Sequence, residues 1–82
     1  MKYVVFLQRN VKHVVICADH TSHSSLKVEE ATPISAGFFV LSSEGVKCFG
    51  NSESLNLSPA EDDSVLISSV LANLGIYAFL DL

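Results

Sequence analysis

Apolar side chains fall on both faces of almost every strand this sequence predicts. Side chains alternate across a sheet with period two, so residues 2–8 turn Tyr3, Val5 and Leu7 one way and Val4 and Phe6 the other. Residues 11–18 set Val11, Val15 and Cys17 against Val14, Ile16 and Ala18, and residues 34–42 set Phe38 and Val40 against Phe39 and Leu41. A sheet that is apolar on both sides has to be covered on both sides.

Turn signals join these segments into hairpins. Arg9-Asn10 closes the first, because asparagine accepts the left-handed backbone of a tight turn, and Ser43-Glu44-Gly45 closes a second between 34–42 and 46–49. Gly37 in mid-strand marks a bulge or a close backbone approach. Between the hairpins, residues 19–25 are rich in Asp, Ser, Thr and His, which break the alternation. Residues 24–31 then fit either a short helix capped by Ser24 or Ser25, or a strand through Leu26 and Val28. Glu29 and Glu30 sit at the unfavourable end of such a helix. Thr32-Pro33 stops whatever precedes it, and residues 50–56 read as a solvated polar loop.

The sequence predicts one main helix, over 59–74. Ser58 can cap the amide of Glu61, Glu61 can return the bond, and Pro59 occupies the first helical position, where its missing N–H costs nothing. Asp62 and Asp63 suit the positive end of the dipole. Leu66, Ile67, Val70, Leu71 and Leu74 fall within an arc of about 140°, a stripe that packs on one sheet face, and Gly75 ends the helix. Residues 76–82 alternate again and fit a fifth strand. The expected fold is α+β: an antiparallel sheet of about four strands, with the helix across one face.

With 82 residues the chain makes a single domain, 1–82, near the lower size limit for independent folding. Five basic residues face nine acidic ones, for a net charge of −4. Residues 48–82 carry no Lys or Arg. Nucleic-acid affinity rests on neutralising phosphates, so this balance excludes that class. The opening apolar run is too short for a signal peptide, and no stretch approaches the ~20 apolar residues of a membrane span. Two cysteines without a secretory signal read as reduced thiols, and the expected location is the cytoplasm.

Candidate chemistry is confined to one region. His13, Cys17, His20 and His23 are metal-ligating types within a short stretch. However, His13 and Cys17 stand about 13 Å apart by strand rise, too far to hold one ion together. Cys17 or Cys48 with a histidine base and Asp19 is the nucleophile reading, but both thiols lie among apolar neighbours, whereas a catalytic thiol needs partial exposure and positive surroundings. Phosphate-binding, dinucleotide-binding and hydrolase motifs are absent from the sequence, and no cofactor is implied. The expectation is therefore a non-enzymatic module acting through protein contacts. It would form a homodimer that buries the second sheet face through Phe38, Phe39, Tyr77 and Phe79, unless 24–31 covers that face within the chain. The alternative is a ligand- or metal-dependent protein or enzyme using the His13–His23 region with Cys17 and Cys48.

Overall fold

A computed structural model describes residues 1–73. The fold is α+β: the described residues form four antiparallel strands in one open sheet, one α-helix and a short 3-10 turn. The strands are β1 (Lys2–Gln8), β2 (Val11–Cys17), β3 (Thr32–Ser42) and β4 (Gly45–Phe49), in spatial order β2-β1-β3-β4, and the helix is α1 (Asp63–Asn73). The expected fifth strand, with Tyr77 and Phe79, and the helix end at Leu74 and Gly75 lie outside the described residues.

Both hairpins follow from their turns. Arg9 and Asn10 take φ of 49° and 67°, the pair of left-handed residues that matches strand twist in a two-residue connection. Ser43 and Glu44 link β3 to β4, with Gly45 at φ 114° as the first residue of β4. Along β1–β3 the register steps from Val5↔Ser35 to Phe6↔Pro33, leaving Ile34 as a bulge. Gly37 is the close approach that its position suggested, since a Cβ there would stand 2.9 Å from both the Phe49 carbonyl oxygen and Pro59 Cγ.

The alternation of β1 divides the core in two. Tyr3 and Val5 join Phe39, Ile67 and Leu71 under the helix, with Val14, Ile16, Val46 and Cys48 packed around them. Val4 and Phe6 join Ala36 on the other face, packed against Val15, Leu26, Val28, Ala31, Leu55 and Leu57. This second face was expected to be met by a partner or by 24–31, and two irregular segments of the same chain, one of them within 24–31, cover its centre. Residues 26–31 are neither helix nor strand. Leu26 and Val28 point inward with strand-like spacing but without a strand partner, and a turn from Val28 to Ala31, with Glu30 at φ 57°, brings Ala31 down as well. In the loop expected to be fully solvated, Ser52 and Leu57 form an isolated bridge that presses Leu55 and Leu57 onto the sheet.

The helix starts four residues later than the proposed capping box allows. The Ser58 carbonyl accepts the Ala36 amide at 3.4 Å, continuing the open side of β3 where β4 has ended, so Ser58 serves the sheet rather than the helix. Asp63, not Glu61, reaches back, and its Oδ2 accepts the Ala60 amide at 2.9 Å in the return limb of a capping box. The same carboxylate accepts the Tyr3 hydroxyl at 2.6 Å and the Ser35 hydroxyl at 2.9 Å. Asp63 is only 1 % exposed, and it shares the buried line of the helix with Ile67 and Leu71. Next to it, Lys12 of β2 donates to Asp62 at 2.6 Å, which holds the Asp62 carboxyl below its usual value.

Asp63→Ala strands two buried hydroxyls, each worth ~1–3 kcal/mol when left unpaired, so denaturant melts should show a loss of ~2–6 kcal/mol. Ser58→Ala, by contrast, should change little. Burial, reinforced by the bond to Asp63, pushes the Tyr3 phenol far above its ordinary value of 10.0. An acid whose folded pKa is raised contributes stability that is fully present below the unfolded pKa and lost above it. Stability should therefore fall as pH rises beyond ~10, and Tyr3→Phe should flatten that slope in alkaline melts.

Candidate functional site

The register brings one set of side chains to the same end of the second face. Lys2 pairs with Cys17 on one side and Phe38 on the other, and Phe38 pairs with Phe49. These four share a face because directly paired residues point the same way. The covering segments stop short of this end, leaving an open cleft of about 530 Å³ between 20–23 and 50–54, lined by Lys2, His20, His23, Phe38, Phe49 and Glu53 among others.

Its floor is aromatic. Phe38 and Phe49 stack with ring centroids 5.8 Å apart and planes inclined by 22°. His23, within the 3-10 turn His23–Ser25, meets Phe38 edge-on at 5.5 Å and donates from Nε2 to the Gly37 carbonyl at 2.9 Å. That bond fixes the ring and the turn that carries it, and His23 is 4 % exposed. Gly50 sits at φ +70°, and a Cβ there would lie 2.9 Å from Phe38 Cδ1, so only glycine lets the loop pass this close to the floor. Lys2 lies with its Nζ 5.6 Å from the Phe38 ring centroid, donating to the Thr21 carbonyl at 2.8 Å.

Of the residues singled out from sequence, the cleft unites His20, His23 and Phe38. It does not assemble the metal set. His13 lies near the hairpin end of β2, opposite Phe6, whereas Cys17 lies at its far end opposite Lys2. Among the described residues no group of three or more His, Cys, Asp or Glu is placed to hold an ion. Phe39 is a core residue beneath the helix, 2 % exposed, which removes it from any contact surface. Nothing in the sequence singles out Lys2 or Phe49, because only the adjacency of β1, β3 and β4 makes them neighbours of Phe38. Asp63 did carry a signal, since its i, i+4, i+8 spacing with Ile67 and Leu71 places it on the buried line.

The thiols are held apart. Cys17 belongs to the second face near one edge of the sheet, while Cys48 packs under the helix on β4 at the other edge, so sheet pairing does not bring them together. Both are half-buried and free. Desolvation pushes the Cys17 thiol up, with the Lys2 charge acting against it, and likewise raises Cys48, where a bond with Tyr3 opposes the shift. Less thiolate means slower chemistry. Native protein should react with a thiol reagent more slowly than unfolded protein at both positions, as timed mass spectrometry would show. A fast-reacting Cys17 in the native state would reopen the nucleophile reading.

No family model, curated protein or solved structure matches the chain.

Proposed function

We propose that the protein is a small non-enzymatic cytoplasmic module that works through protein contacts, and that its first contact is with a second copy of itself along β2. The open edge of β2 carries this reading. Val11 and Gln8 flank a two-residue turn and form a hydrogen-bonded pair, and pairs alternate from there along an antiparallel ladder. Lys12, Val14 and Ile16 therefore turn their N–H and C=O groups away from β1, and no described strand lies beyond them. A long edge strand is a template for further pairing unless bulges, prolines or charges blunt it. β2 has an unshifted register and no proline, and its one Lys is engaged by Asp62.

The edge is also self-complementary. A two-fold axis at Val14 pairs Val14 with its own copy and Lys12 with Ile16 of the second copy, matching the outward groups while keeping like charges apart. On the second face the same register sets Val11, 53 % exposed, against Cys17 of the second copy. The half-buried row Val14 to Cys17 thereby gains neighbours on both sides of the extended sheet. This route differs from the one expected from the two-faced pattern, because loops of the same chain already cover the centre of the second face.

Sedimentation at micromolar concentrations should give a dimer mass. Val14→Pro removes an outward N–H without touching the ladder to β1, and it should yield a folded monomer with unchanged amide dispersion at β1 and β3. A wild-type monomer that persists on concentration, or a Val14→Pro variant that stays dimeric, would refute the edge contact.

A further inference from the structure

The cleft at the end of the second face carries a separate inference. Its volume of about 530 Å³ lies within the range of small-molecule sites. Two features indicate what it would take. Phe49 leaves 46 % of its surface open beside the stacked Phe38, which gives an aromatic platform. Lys2 is a half-buried cation in contact with a carbonyl and a ring, and it has no carboxylate partner among the described residues. An ammonium carries three donors, and the Thr21 carbonyl uses one of them. The remaining donors are held beside the platform by that bond and by the ring face, so an incoming anion meets a charge already in place rather than a free surface lysine. His20 adds a second nitrogen-bearing side chain to the lining.

The other wall is polar and carries the opposite charge. Asn51, Glu53 and Ser54 line it, and Leu55 donates its amide to Ser52 Oγ at 3.2 Å within the small loop closed by the Ser52↔Leu57 bridge. With Lys2 tied to Thr21 on the first wall and Glu53 on the second, a ligand with charge at one end has a preferred direction, and a dianion is disfavoured.

We propose that this cleft binds small aromatic monocarboxylates, the ring seated on Phe38 and Phe49 and the carboxylate on the ammonium of Lys2. The site is independent of the β2 edge, since its lining comes from β1, β3, β4 and the two loops.

The test is a titration of the labelled protein with indole-3-carboxylate, with indole and acetate as single-feature controls, followed by amide chemical shifts. Saturable shifts at Lys2, His20, His23 and residues 49–54 are expected, with a Kd at or below ~1 mM and both controls at least ~10-fold weaker. Lys2→Met keeps the stem over Phe38 and removes the charge, and it should weaken the carboxylate ~10-fold while leaving indole unchanged. Phe49→Ser, at an exposed position, should weaken both ring compounds and serves if the Lys2 variant fails to fold. The proposal fails if no saturable shift appears in these residues. It also fails if indole or acetate binds as well as indole-3-carboxylate, since either result would reduce the cleft to a ring patch or a bare charge. Because sedimentation is read separately, a dimer without ligand binding would overturn this inference alone.

Discussion

One carboxylate joins the two layers of this domain. Asp63 receives a hydroxyl from β1, a hydroxyl from β3 and an amide from its own helix entry, all at hydrogen-bonding distance. Dispersion between helix and sheet is nearly indifferent to a slide of an ångström or two, whereas three donors converging on two oxygens are not. The network therefore fixes where α1 begins and how it is rotated, and with that which residues reach Phe39 and Tyr3. Because a buried carboxylate without partners is costly, alternative placements of the helix are penalised as well as the native one favoured. No buried side-chain polar atom among the described residues lacks a partner.

The two faces of the sheet are covered by different means. Under α1 the cover is regular, with Ile67 and Leu71 set one turn apart over Tyr3, Val5 and Phe39. On the other face the cover is two loops, each contributing two or three side chains at turns and leaving one end of the sheet open. Loop cover satisfies fewer backbone groups internally and opens more easily than a helix does. That contrast accounts for a cleft on the second face, at the end where the loops stop over Phe38 and Phe49.

Much of the fold was legible because it is local. The turns, the strands beside them and the opposed faces of β1 depend on residues close in sequence; the Arg9-Asn10 hairpin appears as the pattern dictates, whereas the second closes on Ser43-Glu44 with Gly45 already in β4, and β3 begins at Thr32 rather than Ile34. The coverage of the second face was harder to read, because Leu26, Val28 and Ala31 fit no single period and Leu55 and Leu57 sit in a polar context. The helix start was misplaced for a related reason. Ser58, Pro59 and Glu61 satisfy the local rules of a capping box, yet the Ser58 carbonyl pairs with the Ala36 amide and holds that stretch against β3, while Asp63 is bonded by two strands, contacts invisible to local rules. The cleft was least legible of all. His20 and His23 stood out as metal-ligand types, but the residues that give the cleft its character, Lys2 and Phe49, acquire meaning only from the order β1-β3-β4.

The polar groups of the chain divide according to whether the fold consumes them. Tyr3, Ser35 and Asp63 are spent on one another and His23 Nε2 on the Gly37 carbonyl, whereas Lys12 is tied to Asp62 at the surface. Two sets remain. The outward N–H and C=O groups of β2 are neutral, regularly spaced and self-matching, which suits them to another strand and ill suits them to a small solute. The ammonium of Lys2 is a single charge beside open aromatic surface, which suits a compact anion and offers nothing periodic for a strand to follow. The two sets lie on different parts of the sheet and call for different chemistry, so occupation of one leaves the other available.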